Sequence, residues 1–475
     1  MDLLLQNTAS GERERIYASD GKALSFYCCG PTVYGPAHVG NFRTFLVQDL
    51  FRRVCEATGI QVNHVRNITD VDDKTIRESL AKGMGLEEFT KGWRQRFEED
   101  CEALHLLPPH ESPSAIDHIA EQIQLIAKLV EGDHAYQSED GSVYFRVSSF
   151  EKYGDLAHIR REDQRENASG RLNADDEYDK YDVADFALWK ARKEEDGANY
   201  WASPWGEGRP GWHIECSAMS MRYLGPSIDV HGGGVDLTFP HHENEIAQSE
   251  AATGQTFVRH WFHAAHLMVE GRKMSKSLGN LYTLADLERE GFYPEEVRWA
   301  LLSGHYRKTL NFTFDALRAG RKALARMTAL LNSFPAGADA GIKPTGLQGD
   351  FRSAWDSLLT DLNVPQALGF LMKEVGRAEK QGSSFSESEK TAWHSSCALF
   401  LEVMGVDWQT WRHRRKAAES EESAIPEEIE QLAEARWNAK KEKNFAEADR
   451  LRGEMQSAGW QVKDTPDGFE LSPNQ

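Results

Sequence analysis

Two short apolar runs, residues 24–29 and 62–67, flank a stretch at 42–54 whose apolar residues recur at helical spacing. Strand, helix and strand in that order suit parallel strands joined by a crossover helix, and so predict an α/β fold built on a doubly wound parallel sheet. Ligands of such sheets bind in the crevice beyond the carboxyl ends of the strands. Cys29 and Asn67 fall at those ends. The segment Asn67-Ile68-Thr69-Asp70-Val71-Asp72-Asp73-Lys74 is expected to line the same crevice, the competing reading being an acidic helix start capped by Thr69 or Asp70.

The turn after the first strand runs into His38-Val39-Gly40-Asn41. His38 and Asn41 stand where a first helical turn aims donors at a nucleotide, and Gly40 leaves room for adenine or ribose to approach the backbone. Far downstream, Lys273-Met274-Ser275-Lys276-Ser277, continued by Leu278-Gly279-Asn280, gathers two lysines and two hydroxyls in one loop. Ammonium groups there neutralise phosphate charge moving toward a leaving pyrophosphate, and the hydroxyls of Ser275 and Ser277 add donors without bulk. The two motifs, in this order, resemble the two signatures of class I aminoacyl-tRNA synthetases. Asn41 stands where the wider class has a histidine; it keeps a donor but carries no charge.

Composition bounds the partners. Lys and Arg number 55 against 75 Asp and Glu, a net charge of -20, which argues against a protein that coats nucleic acid without specificity. A local basic patch remains at Arg412-His413-Arg414-Arg415-Lys416, beside Trp408 and Trp411, with a charged helix end next to core tryptophans as the plainer reading. Six cysteines without disulfide spacing suggest a reducing compartment. The start, Met1-Asp2-Leu3-Leu4-Leu5-Gln6, has no basic n-region, and no apolar run approaches the roughly twenty residues that cross a bilayer. A soluble, cytoplasmic protein is expected, with no membrane or DNA partner, and a monomer rather than a homo-oligomer.

Changes of pattern divide the chain. Residues 1–111 and 211–265 read as two halves of a Rossmann-like sheet domain, split by an inserted connective subdomain at 112–210 that holds short strands such as Ser142-Val143-Tyr144-Phe145-Arg146-Val147 and a polar loop at 160–182. Residues 266–312 carry the lysine-serine loop and a connecting region. A helical bundle follows at 313–416, with amphipathic stretches at 313–334 and 350–381 joined by a Pro/Gly-rich loop. An acidic linker at 417–428 leads to a small C-terminal unit, 429–475, of two helices meeting near Lys443-Asn444-Phe445 and a hairpin around Pro466-Asp467-Gly468.

A metal centre is foreshadowed by Cys29, by Cys216 and by His241-His242-Glu243-Asn244-Glu245, where His241 and Glu245 share a helical face. One imidazole, one carboxylate and two thiolates would complete a four-ligand shell suited to zinc, with His242, Glu243 and Cys28 as rival ligands.

Gly232-Gly233-Gly234, Phe239-Pro240-His241-His242-Glu243-Asn244-Glu245 and Arg209-Pro210-Gly211-Trp212-His213-Ile214-Glu215-Cys216 resemble the cysteinyl-tRNA synthetase family in particular, over nearly the whole chain. The resemblance implies zinc held by Cys29, Cys216, His241 and Glu245, a cysteine pocket at Thr32, Thr69, Trp212 and His213, and ATP, with magnesium, at His38, Gly40, Asn41, Gly232 to Gly234, Asp236 and the lysine-serine loop. His38, Asn41, Lys273 and Lys276 would surround the phosphates, and residues 429–475 would bind the anticodon of tRNA(Cys). Zinc would choose a thiol over a hydroxyl, a distinction that a small apolar pocket makes poorly, and would make an editing domain unnecessary. Glu245, the hardest ligand, is the one expected to yield to the substrate sulfur. The alternatives are a ligase that joins cysteine to an aminosugar, of the mycothiol-pathway type, and a zinc-stabilised RNA-binding protein derived from an inactive synthetase.

Overall fold

The computed structural model describes residues 2–159, 172–173, 185–275, 278–336, 343–423, 426–465 and 468–473. Most of the polar loop at 160–182, as well as Lys276, Ser277, Pro466 and Asp467, lies outside them. Two compact units emerge, Met1–Trp408 and Gln409–Gln475.

At the centre of the first unit four parallel strands run in the order Val258–Ala264, Ile228–Gly234, Ala23–Cys28, Gln61–Arg66. Leu24, Phe26, Val65, Ile228, Val230 and Phe262 are buried, which is what a sheet covered on both faces requires. The helix Val39–Ala57 crosses from the strand Ala23–Cys28 to its neighbour Gln61–Arg66 and buries Phe42, Phe45, Leu46, Leu50, Phe51 and Val54, spaced by three and four. Beyond the strand Gln61–Arg66 the chain enters the helix Asp73–Ala81, whose cap is Asp72, its carboxylate accepting from Thr75 N at 2.7 Å. Thr69 and Asp70 do not cap it. The Thr69 hydroxyl is spent on Glu215, and the Asp70 carboxylate on Ser114 Oγ and Ile116 N.

The region between the two halves of this sheet forms an antiparallel sheet in the order Ala135–Gln137, Val143–Phe145, Asp185–Ala191, Gly206–Pro210, Trp201–Ser203. Its core of Leu125, Ile126, Phe145, Phe186 and Trp189 also takes in Ile214, Ala218 and Ala247. Those three belong to the helices Trp212–Leu224 and Glu243–Thr253, so the inserted sheet supports the elements that carry Cys216 and Glu245.

The helical part comprises Phe314–Ser333, capped by Thr313, then Gly349–Leu359, Val364–Gln381 and Glu387–Val403. The stretch 350–381 is therefore two helices. Asp361 and Leu362 adopt positive φ at the break, and the Asp361 carboxylate turns inward to accept from Gln6 N at 3.0 Å, Tyr306 Oη at 2.6 Å and Arg307 Nε at 2.9 Å. This tie of the strand Leu4–Gln6 to the helices, made through a buried carboxylate, outweighs helix continuity. Asp361→Ala would leave the buried Tyr306 hydroxyl without its acceptor, while the exposed Arg307 guanidinium can turn to solvent. It is expected to cost about 1–3 kcal/mol, read as a lower urea midpoint at unchanged slope.

A second correction concerns the acidic linker. The helix Trp408–Ser423 runs through most of it, because alanine, glutamate, lysine and arginine are strong helix formers. Beyond it, the helices Glu427–Lys441 and Phe445–Ser457 pack with the hairpin Trp460–Thr465 and Gly468–Pro473 around Ile429, Ala433, Met455, Trp460 and Val462. Arg436 and Lys440 both reach Asp464, at 2.8 and 2.6 Å, tying the first of these helices to the hairpin.

Candidate active site and metal centre

The carboxyl ends of the parallel strands bring Cys29, Asn67 and Gly232 to Gly234 together, as the crevice rule requires. The lysine-serine segment returns to the same place. Val39 N donates to Tyr282 O at 2.9 Å, and a bridge pairs His38 with Thr283. A Cβ on Gly40 would stand 3.1 Å from the His38 ring and 3.2 Å from Met274 Sδ, so the missing side chain lets one signature close on the other.

The structure gives Asn41 a local task. Its Oδ1 accepts from His38 N at 3.1 Å and its own N–H donates to His38 Nδ1 at 3.3 Å, a reciprocal cap on the helix Val39–Ala57. With Nδ1 accepting, a neutral His38 carries its proton on Nε2. Burial lowers the pKa of His38, which favours that neutral form. The Asn41 carboxamide thus orients the ring beside it. Lys273 is exposed at the start of its loop, whose backbone is bridged by Asn280: Oδ1 accepts from Ser275 N at 2.9 Å and Nδ2 donates to Lys273 O at 3.1 Å. At Gly233 the close neighbour is the His242 ring, 2.6 Å from where a Cβ would sit, so packing alone demands glycine there. Asp236 lies in the short helical turn that follows the glycines.

Deeper in the crevice Cys29, Cys216, His241 and Glu245 converge, all buried, with one donor atom from each within 4.8 Å of every other. The two sulfurs are 3.9 Å apart, Cys29 Sγ is 3.7 Å from Glu245 Oε1, and His241 Nε2 is 3.0 Å from the same oxygen. In a tetrahedral zinc shell, bonds of about 2.3 Å to sulfur and about 2.0 to 2.1 Å to nitrogen and oxygen imply ligand separations of about 3.3 to 3.8 Å. The quartet is close to that spacing, and its mixture of soft sulfur, imidazole and carboxylate suits the same ion.

Its electrostatics also suit a cation. Burial pushes the Cys216 thiol up, but the hydrogen bond from Cys29 and the neighbouring His241 bring it down to about 6, while burial holds Cys29 well above the usual thiol range. Burial disfavours charge on His241, yet Cys216 and Glu245 raise it to about 10. Glu245, also opposed by burial, is lowered to about 2 by His231 and His241. One thiolate, one carboxylate and a proton shared among buried donors is a charge pattern that a divalent ion would complete.

A second group, Cys29, His231, His242 and Glu245, meets the same distance criterion. It shares Cys29 and Glu245 with the first, and its two histidines bond those same residues while extending the network outward. His231 stacks on Trp261 at 4.5 Å and bonds Glu245 Oε2 at 2.9 Å; His242 links Cys29 Sγ, at 3.3 Å, to His263, at 2.8 Å, which continues to Thr8 Oγ1 at 2.7 Å. Among the rival ligands, Glu243 points away and accepts from Gly154 N at 2.7 Å and Ala157 N at 3.0 Å, while Cys28 belongs to neither group. The adjacent Asn244 takes the Tyr153 hydroxyl at 2.5 Å.

Thr32 and Thr69 pair across a parallel bridge, Asn67 Nδ2 donates to Thr69 Oγ1 at 3.2 Å, and the Thr69 hydroxyl reaches Glu215, the neighbour of Cys216 in the chain. The Trp212 ring lies 4.3 Å from that of His241. His213 sits behind the metal group, its Nδ1 2.9 Å from His241 Nδ1, the partner that fixes which His241 nitrogen faces the other donors. Sequence reasoning did not single out His231, His263, Thr8 or Glu215. Only His231, immediately before the glycines, and Glu215, beside Cys216, lay within motifs that could have flagged them.

Comparison with known proteins fits this geometry. The family described as tRNA synthetases class I (C) catalytic domain matches residues 16–322. The chain belongs to that family. It is 50% identical over 454 residues to a Cysteine--tRNA ligase of Opitutus terrae, covering 94% of each chain, and 42% identical over 477 residues to one of Brachyspira hyodysenteriae, covering 99% of each. Among solved structures, methionyl-tRNA synthetase of Mycobacterium tuberculosis bound by methionyl-adenylate superposes with a TM-score of 0.57 at 16% identity, over 81% of this chain and 90% of that one. A LeuRS ternary complex with tRNA from Agrobacterium radiobacter gives 0.56 at 13% identity, over 82% and 84%. These likenesses establish the class I fold.

Proposed function

We infer that this chain is a cysteine-tRNA ligase: it activates cysteine with ATP to cysteinyl-adenylate and transfers the aminoacyl group to the 3' end of tRNA(Cys). The observation that carries the reading is the buried group Cys29, Cys216, His241 and Glu245 placed beside Thr69 and Trp212 at the ligand end of a class I sheet. When bound there, zinc supplies a soft Lewis acid at which a thiolate outcompetes a hydroxyl. The rest is positioning and charge.

The cysteine carboxylate attacks the α-phosphate, and the terminal ribose later takes the acyl group, so neither step needs a protein nucleophile. His38 offers the Nε2 proton to phosphate oxygens, and Lys273 and Lys276 meet the charge that builds on the departing pyrophosphate, with magnesium accompanying ATP. Glu245 keeps a hydrogen bond to His231 through Oε2 whatever Oε1 does, which gives its carboxylate a resting partner when the substrate sulfur arrives. The signatures, the metal ligands and the pocket all come from one chain, which fits a working monomer. Among the described residues no helix is long and apolar enough to cross a membrane, and six buried free cysteines fit a reducing cytoplasm. The match to curated relatives includes residues 429–475 and leaves the aminosugar alternative without support.

Exchange of labelled pyrophosphate into ATP tests the reading. It should depend on cysteine and be negligible with serine or alanine; exchange that ignores the amino acid supplied would reject it. Lys276→Ala should slow adenylate formation on the order of a hundredfold while leaving cysteine binding nearly intact, as measured by single-turnover kinetics. Equal losses in rate and cysteine affinity would contradict the phosphate role.

A further inference from the structure

We propose that Asp73 and Arg209 act as a clamp that sets the separation of the two walls of the cysteine pocket, making both positioning residues for the amino acid. The proposal rests on the cysteine-ligase reading above.

The walls come from distant parts of the chain. Thr69 lies on the segment that leads into the helix Asp73–Ala81, and Trp212 opens the helix Trp212–Leu224, fed by the strand Gly206–Pro210. Near the metal group they are tied by the hydrogen bond from Thr69 to Glu215. Farther out a second tie exists. Asp73, in the first helical turn, takes Arg209 Nη2 on one carboxylate oxygen and Lys190 Nζ on the other at 2.8 Å. Arg209 Nε donates to Asp196 Oδ1 at 3.0 Å, and Asp196 Oδ2 accepts from Lys193 N at 2.8 Å.

Within the inserted region Asp196 pairs with Arg209, and Asp73 of the other wall bridges Arg209 and Lys190. The register of the inserted sheet's strands sets Arg209 directly opposite Lys190, and like charges in that relation repel. Both side chains are more than nine-tenths buried, at 8% and 9% exposure, where repulsion is poorly screened. The carboxylate that bridges them belongs to the other wall. The sheet therefore holds its two cations in register by gripping the helix that follows Thr69.

Movement at the clamp reaches the pocket by short, stiff paths. From Arg209 to Trp212 there are only Pro210 and Gly211; Pro210 is registered opposite Trp189, and Gly211 N donates to Leu188 O at 2.9 Å. From Asp73 back to Thr69 the segment is pinned by Asp70, which accepts from Ile116 N at 3.0 Å. A cavity of about 300 Å³ beside the clamp, lined by Asp73, Ile76, Leu80 and Lys193, leaves the helix room to shift once the grip is released. Cysteine is small, and a pocket for it tolerates little change of width.

Steady-state pyrophosphate exchange on the full-length, zinc-loaded protein tests this. Asp73→Asn keeps the shape and removes the charge; it should raise KM for cysteine about tenfold, with kcat and KM for ATP within about twofold of the parent. Arg209→Lys keeps the charge but cannot bond both Asp73 and Asp196, and should raise KM for cysteine alone in the same way. Should Asp73→Asn fold poorly, Asp73→Glu, which retains the ion pairs but lengthens one arm, should raise KM for cysteine at an unchanged melting temperature. A KM for cysteine within twofold of the parent in these variants, or a KM for ATP that rises as much, overturns the clamp. A parent protein without cysteine-dependent exchange would instead overturn the ligase reading itself.

Discussion

Cys216→Ser is expected to purify with far less than one zinc per chain and to lose cysteine-dependent pyrophosphate exchange by more than about a hundredfold, since even the outer partners of metal ligands typically cost 10–100-fold. The substitution puts a hydroxyl where the surroundings hold a thiol at about 6, next to an imidazole raised to about 10. A hydroxyl does not ionise there, and the imidazole loses one of its two anionic neighbours, keeping only Glu245. Cys28→Ser is the matched control. Cys28 is equally buried but stands outside both candidate metal groups, so it should retain one zinc. Elemental analysis alongside exchange assays checks both, and full zinc in Cys216→Ser would remove this cysteine from the metal shell.

Ending the chain at Ser423 is the second large effect. Residues 426–473 fold around their own apolar cluster, so their removal should leave cysteinyl-adenylate formation within about twofold, while charging of tRNA falls on the order of a hundredfold or more, the value of one or two good base contacts at about 1–3 kcal/mol each. With a net charge of -20, general attraction to the tRNA backbone cannot conceal the loss of a specific contact region. Paired measurements of exchange and of aminoacylation decide the matter; undiminished aminoacylation would show that the C-terminal helices and hairpin do not read tRNA.

Much of this architecture was legible before any coordinates. The three-four spacing of Phe42 to Val54 marks a helix that any packing of the sheet must bury, and the apolar runs ending at Cys29 and Asn67 mark strands to within a residue or two. The metal group was legible for a different reason: His241 and Glu245 are one helical turn apart, while the choice of Cys29, Cys216, His241 and Glu245 over His242, Glu243 and Cys28 was what the family resemblance implied. What stayed hidden depends on contacts between remote segments. Nothing local to Thr8 announces that it ends a chain of hydrogen bonds from Cys29, and Asp361 breaks an amphipathic pattern only because Gln6, Tyr306 and Arg307 converge on it. The capping role of Asn41 was not legible because a nucleotide contact and a helix cap call for the same residue type, and composition cannot separate them.

The opening turn of the helix Glu243–Thr253 assigns three successive residues to two structures: Glu243 and Asn244 hold the chain at 153–157, while Glu245 faces the metal group. The candidate metal centre therefore has no boundary that a protein engineer could cut along. Moving the four ligands into another parallel sheet would strand two buried polar side chains unless the loop they grip moved as well, and any library that varies that loop also samples the chemistry of a site it never touches.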